Sequence, residues 1–96
     1  PAELPDDYYR RIAEHTDKPV VFAELGWSSD PAYGGSPEAQ AAFLGRLPEL
    51  LKGLDVPLIN YNFLFDAKGF GEAFDSMGLI DAKGKLKPAL AAFRGL

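Results

Sequence analysis

The sequence predicts an α/β fold in which two parallel strands alternate with helices. Two short runs support this class: an unbroken apolar one at residues 20–23, which is followed by Glu24, and an apolar and aromatic one that begins at Leu58 and continues to 63 or 65. Unbroken apolar runs are typical of strands buried on both faces, as in parallel sheets. Helical apolar spacing occupies the intervening segments, and strands that alternate with helices pair in parallel through right-handed crossovers.

The first elements run from residue 6 to residue 35. Residues 6–16 predict the second half of a helix, because Tyr8 and Ile12 fit one helical face and Pro19 prevents its continuation. The first strand follows at 20–23. Gly, Ser and Pro then dominate residues 26–35, which predicts a loop.

A longer helix is predicted to begin at Ser36. Ser36 is a favoured N-cap, Pro37 suits the first helical position, and Glu38 favours the positive end of the helix. Pro48 predicts a kink or a break into two shorter helices. The expected buried stripe comprises Ala42, Phe43, Leu47, Leu50, Leu51 and Leu54.

After the second strand we expect a loop at 67–71, a turn at 81–84 and a last helix at 87–93. Two parallel strands alone leave two hydrogen-bonding edges and much apolar surface uncovered. The sequence therefore predicts that residues 1–96 are part of one larger α/β domain, or that copies of the chain associate.

Composition narrows the function classes. An apolar fraction of 47% with 25% charged residues indicates a globular chain, and the net charge of -4 argues against nucleic acid or an anionic membrane as a partner. There are no cysteines, and His15 is the only histidine, so we expect no metal site. No phosphate-binding glycine loop is present, and we expect no cofactor. The cellular location stays open.

Glu24 is the strongest candidate for a functional residue. It follows four apolar strand residues and precedes Leu25-Gly26, which places it at the carboxyl end of a parallel strand. Sites in α/β folds are built at that end. Strict alternation puts Glu24 on the same strand face as Phe22. The alternative is a strand-end glutamate that forms a salt bridge or caps a neighbouring helix.

Three groups of motifs occur in order. They are KPVVFAELGWS at 18–28, SPEAQAAFL at 36–44, and INYNFLFD at 59–66 followed by FDSMGLID at 74–81 and GKLKPA at 84–89. Together they resemble strand seven to helix eight of retaining (β/α)8-barrel glycoside hydrolases, the cellulase, glucanase and endo-galactanase grouping, over about residues 8–95.

The resemblance implies that the chain is the C-terminal part of a TIM (β/α)8 barrel and that Glu24 is the nucleophile of a retaining glycosidase. The acid/base Glu would lie at the end of strand four, outside this chain. Retaining chemistry requires two carboxyl groups about 5–5.5 Å apart. The implied partners are therefore a carbohydrate substrate and the rest of the barrel, and these 96 residues alone are expected to be inactive.

Four further residues are predicted to contact substrate: Trp27, Tyr61, Asn62 and Asp66. Trp27 could stack on a sugar ring or fold back over the barrel rim. Alternation sends Asn62 towards the site and Tyr61 away from it, whereas the resemblance places Tyr61 where the family usually has a tryptophan floor; a bulge could reconcile the two. Asp66 could bind a sugar hydroxyl or cap the following turn.

Two other functions remain open at this point. One is a carbohydrate-binding or structural pseudo-enzyme that keeps the barrel but lacks the acid/base residue. The other is a self-associating α/β module. The sugar, its linkage, endo or exo action and the oligomeric state do not follow from these residues.

Overall fold

The computed structural model describes residues 1–96 and contains two parallel strands and two α-helices. The elements are strand β1 (Val21–Leu25), helix α1 (Pro37–Leu50), strand β2 (Leu58–Tyr61) and helix α2 (Pro88–Arg94). Short 3-10 helices lie at Arg10–Glu14, Pro31–Tyr33 and Glu72–Ser76. The two strands form one parallel sheet. The predicted α/β class, with two parallel strands alternating with helices, is confirmed at this level.

The register of the sheet contains one extra residue on β1. Phe22 pairs with Ile59, but the next pair is Leu25 with Tyr61, so three steps on β1 match two on β2. Phe22 and Leu25 consequently both pack towards the core, and Glu24 is exposed. The prediction that Glu24 shares a face with Phe22 is therefore wrong, because a bulge shifts the alternation of the strand by one residue.

Helices α1 and α2 pack against each other and cover one face of the sheet. Val21 and Leu58, a directly opposed pair, remain 52% and 57% exposed. The prediction that both strand faces are buried thus holds for only one face of this chain. The buried apolar core consists of Leu25, Phe43, Leu44, Leu47, Leu50, Leu79, Ala89 and Leu90.

Helix α1 begins as predicted. The Ser36 hydroxyl oxygen accepts a hydrogen bond of 3.0 Å from the Ala39 N–H, and Pro37 occupies the first turn. Pro48 does not divide the helix, which ends two residues later at Leu50. Its fully buried stripe is Gln40, Phe43, Leu44, Leu47 and Leu50. Neither α1 nor α2 combines the length and apolar character that a bilayer span requires.

The first predicted helix is shorter than its apolar spacing suggests. Only Arg10–Glu14 is helical, as a 3-10 helix without a side-chain N-cap. Few contacts support a longer helix here, since no residue of this 3-10 helix is buried. The preceding Tyr9 holds the segment to the sheet through an edge-to-face contact with Phe22, with ring centroids 5.2 Å apart.

Strand β2 ends at Tyr61, before the predicted end at residue 63 or 65. Beyond it the backbone bonds a later segment instead of β1: the Leu79 N–H donates to the Phe63 carbonyl (3.0 Å) and the Ile80 N–H donates to the Leu64 carbonyl (2.9 Å). The Asn62–Phe63 peptide bond is cis. The last helix, α2, begins after Lys87 with Pro88 in its first turn, as the sequence predicts.

Candidate functional site

A shallow depression of about 210 Å³ lies where the two strands end. Because β1 and β2 are parallel, their carboxyl ends meet on the same edge of the sheet. Glu24 comes from the end of β1, and Asn62 follows the last residue of β2. The full lining is Glu24, Leu25, Gly26, Asn62, Phe74 and Met77. Of the predicted site residues, the structure thus brings Glu24 and Asn62 together.

The Glu24 side chain is exposed and has no partner within the chain. Its carboxylate takes part in none of the side-chain hydrogen bonds, and none of the five ion pairs includes it. The alternative role, a salt bridge or a helix cap, therefore does not occur within these 96 residues. A carboxylate with free lone pairs can interact with a ligand without breaking a structural contact.

Gly26 allows the two strand ends to approach each other. The Asn62 N–H donates to the Leu25 carbonyl at 2.8 Å. A Cβ atom at Gly26 would lie 2.6 Å from the Asn62 carbonyl oxygen and 3.1 Å from the Met77 sulfur. Glycine at this position therefore sets the close contact between Asn62, Met77 and the segment that carries Glu24.

Trp27 faces the core of the molecule. Its ring stacks on that of Phe43 with centroids 4.9 Å apart and planes inclined by 28°, and it is only partly exposed. It does not line the depression that contains Glu24. This placement corresponds to the alternative in which the tryptophan folds back, and one of its ring faces is already occupied.

Tyr61 also lies on the core side of the sheet. Its hydroxyl accepts a 3.1 Å hydrogen bond from the Gln40 amide and donates one of 3.1 Å to the Met77 carbonyl. Burial raises the pKa of the Tyr61 phenol, and the hydrogen bond from Gln40 opposes that rise. Between the two readings of this strand, the geometry places Asn62 in the depression and Tyr61 beneath it.

Asp66 is engaged in a buried ion pair. The Lys87 ammonium lies 2.7 Å from one Asp66 carboxylate oxygen, and the same oxygen accepts a 2.8 Å bond from the Gly78 N–H. The Lys87 ammonium also donates to the Ser29 hydroxyl at 2.9 Å. Asp66 thus holds the segment at Gly78, twelve residues later, rather than capping the turn that directly follows it or presenting a free carboxylate.

The largest cavity, about 660 Å³, lies away from Glu24. It separates the start of α1, at Pro37 and Glu38, from the start of α2, and Asp66 and Asp81 line it. Asp66 is paired with Lys87. The Asp81 carboxylate accepts two backbone N–H bonds in its turn, which lowers its pKa. Because both aspartates support local structure, we assign the candidate site to the smaller depression.

The sequence reasoning did not identify Phe74 and Met77 as site residues. They occur three residues apart in the motif at 74–81. That spacing is the only feature of the sequence that points to the two residues as a pair. Gln40 likewise has a role beyond helix packing: it is fully buried and its amide donates to the Met77 and Gly78 carbonyls at 2.9 and 3.0 Å. No cluster of three or more His, Asp or Glu side chains is placed to hold a metal ion.

No protein-family model matches the chain, and no curated protein sequence matches it. The functional proposal therefore depends on the motifs of the sequence and on the geometry of the depression at the strand ends.

Proposed function

We propose that the chain is the strand-seven to helix-eight portion of a retaining (β/α)8-barrel glycoside hydrolase in which Glu24 is the nucleophile. The observation that carries the proposal is the Glu24 carboxylate itself. It lies at the carboxyl end of a parallel strand, it is exposed, and no residue of the chain bonds it. In barrel enzymes that end of the strands holds the catalytic residues.

The proposed reaction is a double displacement. The Glu24 carboxylate attacks the anomeric carbon, and the glycosidic oxygen leaves with a proton from a second carboxylic acid about 5–5.5 Å away. Water then hydrolyses the glycosyl ester, with the second residue acting as base. Glu24 is the only carboxylate in the lining of the depression, so that second group must come from outside these residues.

Asn62 is proposed to bind a sugar hydroxyl beside Glu24. Its side-chain amide nitrogen donates no hydrogen bond within the chain, and the contact between its oxygen and the Asn60 amide, at 3.5 Å, is too long to be strong. An amide of this kind can donate to a sugar hydroxyl oxygen and hold the ring in position beside Glu24.

The sheet supports the barrel part of the proposal. Val21 and Leu58 expose apolar side chains on the face opposite the helices, and each strand has only one bonded neighbour. Further strands on both edges would pair the free backbone groups and enclose that face as a lumen.

The test is hydrolysis of aryl glycosides by the complete barrel protein that the proposal implies, here called the full-length chain. It is compared with its Glu24→Gly variant, with and without azide. We expect the variant to lose at least about 10³-fold in kcat and to regain turnover with azide as an inverted glycosyl azide. Glu14→Gly, which removes an exposed glutamate far from the depression, is the control and should leave the rate unchanged.

An active wild type with an unimpaired Glu24→Gly variant would exclude Glu24 as the nucleophile. The pseudo-enzyme alternative keeps the barrel but lacks the acid/base residue. A wild-type chain that binds oligosaccharides but hydrolyses none of a broad panel would support that alternative instead.

A further inference from the structure

We propose that Phe74 and Met77 form an apolar platform beside Glu24 that binds the C–H face of a pyranose ring. The inference deepens the proposed function and rests on it for the class of ligand. Apart from Leu25, whose side chain belongs to the core, these two are the apolar residues of the depression.

The Phe74 ring is available to a ligand. It is 46% exposed although it is a large aromatic residue, and none of the close aromatic pairs in the molecule includes it. Its backbone is held in the 3-10 helix Glu72–Ser76, where the Phe74 N–H donates to the Gly71 carbonyl at 3.2 Å. The Asp75 carboxylate secures the same turn by accepting a 2.7 Å bond from the Gly71 N–H.

The Met77 backbone is held on its core side by hydrogen bonds from two polar side chains. Its carbonyl accepts hydrogen bonds from the Gln40 amide (2.9 Å) and from the Tyr61 hydroxyl (3.1 Å). Its sulfur lies against Gly26, close enough that a Cβ there would approach it to 3.1 Å. The platform is therefore largely formed before a ligand arrives, which reduces the entropy lost on binding.

The chemistry of the depression matches the two sides of a sugar ring. A pyranose has a face of C–H groups and a rim of hydroxyls. Apolar and aromatic surfaces bind the first, whereas Glu24 and Asn62 offer an acceptor and a donor to the second. The volume, about 210 Å³, is on the scale of one ring. An open-chain polyol carries the same hydroxyls but has no such face.

The experiment uses the full-length chain with Glu24→Gln, labelled with ¹³C in its methionine methyl groups. Met77 is the only methionine of these 96 residues, and its signal in the full-length chain is assigned by its loss in Met77→Leu. We titrate with cellotetraose, laminaritetraose and β-1,4-galactotetraose, and with sorbitol as the open-chain control. At least one oligosaccharide should shift the Met77 methyl signal saturably, and sorbitol should not.

Phe74→Ala should weaken that binding about tenfold or more, because the aromatic face is lost. The matched control is Tyr33→Ala, which removes another half-exposed aromatic that does not line the depression and should leave the affinity unchanged. If Phe74→Ala does not fold, Phe74→Leu, which keeps apolar volume without a flat ring, should still weaken binding several-fold.

The outcomes for the platform and for the nucleophile are separable. No shift with any oligosaccharide, an equal shift with sorbitol, or unchanged affinity in the Phe74 variants would overturn the platform, even where azide rescue identifies Glu24. Conversely, ring binding that depends on Phe74 in a wild type without hydrolytic activity would support the platform and exclude the hydrolase.

Discussion

Gly26 has no side chain, and the ends of β1 and β2 can therefore come together. The candidate site depends on that contact. The neighbouring Asn62 carbonyl is backbone and cannot rotate away from an added methyl group, and the Met77 sulfur is close on the other side. Gly26 therefore contributes to the site by leaving room for Asn62 and Met77.

Gly26→Ala should destabilise the chain by about 1–3 kcal/mol, because the new Cβ forces the strand ends apart. Urea unfolding followed by circular dichroism measures the effect. The control is Gly45→Ala in the exposed part of α1, where no atom beyond the adjoining residues and helix backbone lies within 4 Å of the new methyl group; it should stabilise the helix by up to about 1 kcal/mol. Equal effects of the two substitutions would contradict the steric argument.

Among the predicted site residues, Glu24 and Asn62 line the same depression in the structure, because strand ends and parallel pairing follow from local patterns. The placements of Trp27, Tyr61 and Asp66 were not decided by the sequence alone. Trp27 and Tyr61 turn inward to partners on α1, and Asp66 pairs with Lys87, 21 residues later. Such partners are determined by tertiary packing, which the spacing of residues along the sequence does not predict.

At the scale of elements, the Asp66–Lys87 ion pair joins the loop after β2 to the start of α2. The Lys87 ammonium also bonds the Ser29 hydroxyl, in the loop after β1, and the Ser76 carbonyl. Both charged side chains are largely buried, at 8% and 15% exposure. Two loops at the strand ends and the start of one helix are thus held by a single ammonium group.

Lys87→Met should destabilise the chain by about 3–5 kcal/mol, because it leaves the Asp66 carboxylate buried without its cation. Adding Asp66→Asn should recover part of the loss, since the unpaired charge is then removed. Lys85→Met, at an exposed position of the same turn, should change stability by no more than about 0.5 kcal/mol. Chemical unfolding of the three variants is the measurement, and a mild effect of Lys87→Met would show that Asp66 is solvated.

The helices illustrate which elements local sequence can predict. Both α-helices start where the sequence predicts, because Ser36, Pro37 and Pro88 act through neighbouring backbone groups. The 3-10 helix Arg10–Glu14 and the early end of β2 were not predicted. In the second case the hydrogen-bonding partner of residues 63–64 is the distant segment 79–80, so strand propensity alone overestimates the length of β2.

The whole molecule has more surface than its mass leads us to expect. Its accessible area is 6112 Å², against about 5400 Å² for a compact monomer of 10.4 kDa. Part of the excess is apolar, including Val21 and Leu58 on the uncovered sheet face. Exposed apolar patches are typical of surfaces that contact another part of a chain or a second copy.

The isolated 96-residue chain should therefore bind the dye ANS, and Val21→Thr with Leu58→Thr should reduce its fluorescence by about half. Leu86→Thr, an equally exposed substitution away from the sheet, is the control and should have little effect. Sedimentation of the same samples separates the two explanations. A folded oligomer that dissociates in the double variant would support the self-associating module, whereas a dye-binding monomer would support the barrel.

The bulge on β1 reverses which side chains of the strand face the helices. Before it, even-numbered side chains such as that of Phe22 face the helices; after it, odd-numbered ones do, and Leu25 and Trp27 both turn inward. If the same residues alternated strictly along the strand, Glu24 would point into the core and Trp27 towards solvent. The bulge in the backbone of β1, rather than any side chain, thus decides whether Glu24 or Trp27 faces a ligand.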